Sequence, residues 1–394
     1  MRQREKWDVT LMKFRLALLA ALTLAPGAAP ALAQQQAAPG IGGVARLITL
    51  AEPKVADPRG WAVDLLDVLR QHSFPQSREN VCAAIAVIDQ ESSFVADPAV
   101  PNLGTLSEKA MRQKFLKVPI LGRMALNFLD RTPSPEDSYM ERIRSARTER
   151  DLDMTWRAMV ADASSRANMG FVVNAGLFNT LIEEHNEIST VGSMQVSVKF
   201  ALDEARKRRW LPMTLEDTYA VRDDLYSRHG GMYYGVLQLL GYDSGYSQKL
   251  YRFADYNAGR YASRNAAVQQ IIATLSGVKL ALDGDLLTYD KTGKALPRVS
   301  GTEAALRKLA AKLDLGLTNQ QIRDDLLREK DQSFAASRLF LALRDAYQAR
   351  TGKAAPFAVV PQIALASPKI KRRMTTSIFA ETVNRRYQRC MAAR

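Results

Sequence analysis

Val81-Cys82-Ala83-Ala84-Ile85-Ala86-Val87-Ile88-Asp89-Gln90-Glu91-Ser92-Ser93-Phe94 is the stretch that decides how this chain folds. Its apolar run is helical in length and ends in polar residues. Read at helical spacing, Ala84, Ile88 and Glu91 share one face, because residues three and four apart stack on a helix. A carboxylate that continues an apolar stripe is either the polar end of a buried helix or an acid set in an apolar cleft. In the second setting desolvation raises its pKa, as a general acid working near neutral pH requires. Alone, the stretch favours the structural role. Glu91 gains weight from two stretches far downstream.

The first is Val191-Gly192-Ser193-Met194-Gln195-Val196-Ser197-Val198, with a helix expected from near Ser197 to Arg208. The second is Phe253-Ala254-Asp255-Tyr256-Asn257-Ala258-Gly259-Arg260, read as a helix C-terminus where Gly259 adopts positive φ. Around it the chain is rich in tyrosine: eight of thirteen lie between 226 and 261. Core packing at helical spacing accounts for most of them, although amphipathic rings also suit a cleft that stacks on sugars.

Glu-Ser-x-Phe at 91–94, Gly-x-Met-Gln at 192–195 and Tyr-Asn-Ala-Gly at 256–259 occur in that order. Together they resemble the lysozyme-like catalytic domain of the soluble lytic transglycosylases. The chain as a whole also resembles a family of exported bacterial proteins of unassigned function that carry this domain. The resemblance implies a mainly α, lysozyme-like domain in which Glu91 is the single acid/base. Ser92 would orient the glutamate or a neighbouring group, and Met194 and Gln195 would line the saccharide subsites. Tyr256 would hydrogen-bond Glu91, and Asn257 would contact substrate or hold its turn.

Two departures from the pattern bear on function. Glu91 and Gly192 are separated by 101 residues, which requires a helical insertion of about 70 residues, placed at about 103–180, on or beside the cleft. Such an insertion either caps the groove, directing cleavage to chain ends, or blocks it. In addition, Ser193 stands where leucine is usual and Asp255 where alanine is usual.

Glycoside hydrolysis ordinarily uses two carboxylates, whereas the implied reaction needs one. Glu91 would protonate the oxygen of the MurNAc–GlcNAc β-1,4 bond and then deprotonate the sugar's own C6 hydroxyl, closing a 1,6-anhydro ring without cofactor or metal. The expected partner is the peptidoglycan glycan strand. A muramidase using water is the competing enzyme, with Asp255, Glu183, Glu184 and Glu187 as candidate second acids. A non-catalytic wall-binding or scaffolding protein is the alternative of another class.

Composition is compatible with all three. The 394 residues are 47% hydrophobic and 24% charged, the balance of a soluble globular protein, with net charge +14. That excess suits an anionic partner such as an acidic polymer. No phosphate loop, dinucleotide fingerprint or zinc-ligand spacing is present, so nucleic acid is not favoured. Three histidines and two cysteines make a His/Cys metal site an unfavoured reading.

Lys13 and Arg15, the apolar run Leu16–Leu24 and Ala31-Leu32-Ala33 read as a signal peptide over 1–33, which implies export to the periplasm. Residues 34–57 read as a flexible linker, 58–275 as the lysozyme-like domain, and 276–394 as a mostly helical accessory region. No stable membrane span is expected, and the protein is expected to be a monomer. Within the last region, Asp283-Gly284 between two apolar runs predicts a small β-hairpin, and Lys369–Arg373 begins a basic helical tail. Cys82 and Cys390 are either bridged, tying the tail to the Glu91 helix, or buried and unpaired.

Overall fold

Three helices open the described chain: α1 (Ile41–Ala51), α2 (Pro58–Gln71) and α3 (Arg78–Glu91). The flexible linker expected at 34–57 is thereby corrected: Val44, Leu47 and Ile48 of α1 are buried in the main apolar cluster. In this computed structural model the described residues are 39–118, 120–168, 190–290, 293–365 and 374–393. The signal peptide at 1–33, the acidic residues Glu183, Glu184 and Glu187, and the basic run 369–373 lie outside them. Asp57 caps α2 by accepting from the Gly60 N–H at 2.9 Å, and Pro58 occupies the first helical position. Ser77 caps α3 in the same manner. Every residue of α3 from Val81 to Asp89 is buried. A helix apolar on all sides has no solvent face and must form the centre of the core.

The insertion expected at about 103–180 lies partly outside the described residues, which carry four helices from residue 103 to residue 168. Helices α4 (Leu103–Phe115), α5 (Leu121–Arg131), α6 (Tyr139–Ser145) and α7 (Glu149–Asn168) enclose a separate apolar core that includes Phe115, Leu129, Met140 and Met159. The chain returns through an antiparallel pair, β1 (Thr190–Val191) and β2 (Val196–Ser197), joined by the Gly192–Gln195 turn. Helices α8 (Val198–Lys207), α9 (Leu215–Leu225), α10 (Arg228–Leu240), α11 (Lys249–Ala258) and α12 (Ala262–Ser276) follow. Ser197 caps α8, as its position before the apolar run predicts.

After α12 come α13 (Gly301–Lys312), α14 (Asn319–Leu326), a 3-10 turn (Gln332–Ala336) and α15 (Arg338–Thr351). Thr318 and Gln321 form a capping box at the start of α14. An antiparallel pair, β3 (Ala364–Leu365) with β4 (Met374–Thr375), precedes the last helix, α16 (Thr376–Ala392). The fold is mainly α.

Two expectations for the C-terminal region are corrected. The hairpin predicted at Asp283-Gly284 does not form, because side chains take the backbone groups that a ladder needs. Gln269 of α12 accepts from the Gly284 N–H at 3.0 Å, and Glu329 accepts from the N–H groups of Leu286 and Leu287. A backbone donor satisfied in this way has no free hydrogen for a neighbouring strand. Among the described residues the bridge nearby, Tyr289 to Ala295, spans the next turn instead. Nor does residue 276 divide the molecule into a catalytic and an accessory core. Phe379, Ala380, Val383, Tyr387 and Cys390 of α16 share one apolar cluster with α3 and α11. Cys390 is bonded to Cys82 of α3, with 5.6 Å between their Cα atoms, and Arg386 pairs with Asp89. What does lie apart is a second cluster built by α12 to α15 with Leu286 and Leu287.

Candidate active site

Glu91 is the final residue of α3. Ser93 and Phe94, the second and third residues beyond it, both take left-handed backbone angles, with φ of 49° and 62°. Such angles are costly for residues with a side chain. Phe94 is held in this turn by burial against Trp61, ring to ring edgewise at 5.3 Å. The sharp exit ends the helix where its apolar face meets the first polar side chain.

Among the described residues no hydrogen-bond donor and no cation faces the Glu91 carboxyl. The residue keeps partial exposure, so its oxygens are not sealed from solvent. Burial pushes the carboxyl up to about 8, and the nearby Glu149 carboxylate adds to the effect. A carboxyl without a cationic partner in an apolar setting favours its protonated form. Ser92 does not point its hydroxyl at the glutamate: it is buried and donates back to the Ile88 carbonyl at 3.2 Å.

The Gly192–Gln195 turn is brought to this helix end. Gly192 has φ +79°, and a Cβ there would stand 2.1 Å from the Leu225 carbonyl oxygen, so only glycine fits. Met194 is fully buried beneath the turn. Gln195, itself left-handed at φ 48°, directs its carboxamide at three neighbours, one of them the Gly192 carbonyl, to which Nε2 donates at 3.4 Å. It donates from Nε2 to Glu149 Oε2 at 3.2 Å and accepts from the Thr190 hydroxyl at 3.1 Å.

Tyr256 reaches the same place from α11. Its hydroxyl donates to the Met194 carbonyl at 2.7 Å, not to Glu91 as the resemblance implies. Burial and then the Glu91 charge hold the phenol well above its ordinary value, so it remains a donor beside the glutamate. Asn257 holds its turn: its side-chain oxygen accepts from the Thr376 hydroxyl of α16 at 2.9 Å. Gly259 closes α11 at φ +107°, the positive angle its position predicts.

Asp255 is buried and its two oxygens take four donors. They are the hydroxyls of Tyr242 and Tyr246 and the N–H groups of Tyr261 and Ser263. A carboxylate with its acceptor sites filled is a structural anchor, with nothing left over to act as a base.

Glu149, in the first turn of α7, is the acid that the sequence does not single out. It is 2% exposed, and its carboxylate is bonded by Gln195. Tyr226 donates to its backbone carbonyl at 3.3 Å. Acidic residues are ordinary in a first helical turn, so nothing local marks this one as buried. Two ion pairs dock α7 beside the site: Arg222 donates to Asp153 at 2.7 Å, and Arg157 reaches Asp223 at 2.8 Å. Among the described residues no group of three or more His, Cys, Asp or Glu side chains is placed to hold a metal ion, and no helix is long and apolar enough to cross a membrane.

Residues 54–393 match the model of a family described as "Protein of unknown function (DUF1615)". The chain belongs to this family. The match spans the Glu91 helix, the inserted helices and α16 together, so the three regions form one family unit. This DUF1615 protein is also 39% identical over 339 residues to the "Uncharacterized protein YaiW" of Escherichia coli (strain K12), covering 86% of each chain. No solved structure matches it.

Chemically, the site of this DUF1615 protein joins one protonatable carboxyl, Glu91, to a turn held from two sides. Tyr256 ties the turn to α11, and Gln195 ties it to the inserted helix. Ser92 and Met194 lie beneath this surface, while Gln195 and Glu91 keep partial exposure.

Proposed function

We propose that this protein is a peptidoglycan lytic transglycosylase, exported to the periplasm, that cleaves the MurNAc–GlcNAc β-1,4 bond. The observation that carries the proposal is Glu91 itself: a helix-terminal carboxyl, partly open to solvent, that burial raises to about 8. A carboxyl protonated at neutral pH can donate to the glycosidic oxygen as the bond to the anomeric carbon breaks. The resulting carboxylate then takes the proton of the sugar's C6 hydroxyl as that oxygen bonds to the anomeric carbon. The 1,6-anhydro ring closes, the proton returns to Glu91, and no water is consumed. Tyr256 and Gln195 fix the turn beside which the saccharide would lie. The basic surface, net +14 for the chain, suits a polymer whose stem peptides carry carboxylates.

Glu149 favours a second reading, a muramidase that admits water. With a second carboxylate in the site, one group could act as acid and the other activate water. Digestion of purified sacculi, followed by mass analysis of the fragments, separates the two. Anhydro ends, lighter by one water than reducing ends, are expected from wild type and should be absent with Glu91→Gln. Reducing ends would establish the muramidase, and no release by wild type would sink both.

A further inference from the structure

The loop between α8 and α9 leaves its largest apolar side chains in water. Trp210 is 101% exposed, as open as in a short extended peptide, and Leu211 is 74% exposed. Leu215, the first residue of α9, is 60% exposed. The loop is braced at its base. Arg208 lies over the Tyr233 ring of α10, 4.9 Å from its centroid. Arg209 pairs with Asp217 at 3.0 Å, and Asp217 also closes the capping box with Thr214 at the far end of the loop. Both ends are thus fixed while Trp210 and Leu211 stay in solvent. Burying an indole ordinarily stabilises, and an apolar patch held in water marks a surface that something else covers.

Four cations, Arg206, Lys207, Arg208 and Arg209, immediately precede the tryptophan, and all four are exposed. Arg206 and Lys207 pair with Asp203 and Glu204, one turn back along α8, each at 2.8 Å. Ion pairs this open are weak, so a phosphate can take the place of the acid. Glu216, exposed in the first turn of α9, adds a negative charge beside Leu215. The shallow depression on α9 lined by Leu215, Glu216, Tyr219, Ala220 and Asp223 includes neither Trp210 nor Leu211. These two project rather than receive. An apolar tip next to a run of cations fits a surface that is apolar within and anionic at its face. We propose that Trp210 and Leu211 form an interfacial wedge by which this protein docks on an anionic phospholipid bilayer, with the cations at 206–209 contacting the lipid phosphates. The contact is peripheral, reaching only the headgroup boundary as interfacial segments do. It is separate from the Glu91 chemistry and stands whether or not sacculi are cleaved.

Because both side chains are exposed, Trp210→Ala/Leu211→Ala should keep the wild-type melting temperature, so its effects read the surface and not the fold. The exported, leader-free protein is sedimented with vesicles of phosphatidylethanolamine and phosphatidylglycerol, with vesicles of phosphatidylcholine alone, and with purified sacculi. Wild type is expected on the acidic vesicles and not on the phosphatidylcholine ones, and added salt should release it. Its tryptophan emission should shift to the blue on binding. Trp210→Ala/Leu211→Ala should bind about tenfold more weakly or worse, without that shift. Arg206→Gln/Lys207→Gln should lose about fivefold for each cation removed. Absence of wild type from the acidic vesicles, equal binding to both kinds of vesicle, or undiminished binding by the Trp210 variant overturns the proposal. Retention on sacculi alone also overturns it, since a polymer then covers the tip. So does self-association in the absence of vesicles that the Trp210 variant abolishes, which would assign the tip to a second copy.

Discussion

The Tyr256 hydroxyl lies 2.7 Å from the Met194 carbonyl oxygen, to which it donates, so it ties α11 to the Gly192–Gln195 turn. Both residues are buried. Removing the donor leaves a carbonyl in the core without its partner, which typically costs about 1–3 kcal/mol. Tyr256→Phe should therefore lower stability by that amount in urea unfolding and reduce cleavage of sacculi through displacement of the turn. Unaltered stability and unaltered cleavage would show that the bond is dispensable.

Glu91 makes stability depend on pH in a definite direction. Its folded value, about 8, stands above the ordinary 4.5, so the folded state holds a proton that the unfolded state has released between those values. Stability then falls as pH rises through that window, by at most about 1.4 kcal/mol per unit and less where solvent reaches the carboxyl. Glu91→Gln removes the dependence. Its melting temperature should exceed that of wild type at pH 8 and match it near pH 4.5. Parallel melting curves for the two proteins across this range would contradict the placement of Glu91.

Glu329, whose backbone carbonyl accepts from Arg264 at 2.6 Å, anchors the second core. It accepts from the N–H groups of Leu286 and Leu287, from Tyr289 and, at 3.4 Å, from Asn265, and burial raises it to about 7. Glu329→Ala leaves several buried donors without an acceptor. A loss of about 3–5 kcal/mol is expected on that basis, measured by chemical denaturation. A change below about 1 kcal/mol would mean that water replaces the carboxylate without penalty.

The Cys82–Cys390 bridge closes a loop spanning 308 positions. Long loops gain most from cross-linking in the chain-entropy account, and loss of a native bridge usually costs about 2–5 kcal/mol. The Cys82→Ala/Cys390→Ala protein should unfold at lower denaturant, with α16 exchanging amide hydrogens sooner than α12. Equal protection of both helices would show that packing and the polar contacts of α16, among them Arg386–Asp89 and Thr376–Asn257, hold it without the bridge.

Much of the helical layout was legible in the sequence because it depends on local signals. Ser77, Ser197 and Thr318 are side chains whose oxygens cap the helix they precede. The unbroken apolar run of α3 left no option but burial. The order of Glu91, Met194-Gln195 and Tyr256-Asn257 was readable as a resemblance because residue types and glycines carry it. The predicted hairpin at Asp283-Gly284 shows where local signals stop. A turn sequence specifies a turn, but whether its flanks pair depends on which partners reach their N–H groups first, and Gln269 and Glu329 are distant in sequence.

Sequence alone therefore determined a mainly α chain with an acid at the end of a buried helix. Tertiary structure decided what surrounds Glu91. It sent the Tyr256 hydroxyl to a backbone carbonyl, filled Asp255 with four donors, and set the first turn of α7 against Gln195. The reason is physical: a carboxyl's environment is the sum of what other elements bring within a few ångströms. Glu149 is 58 residues from Glu91 along the chain, and its sequence reads like that of any acid in a first helical turn. Only the docking of the inserted helices makes it a neighbour.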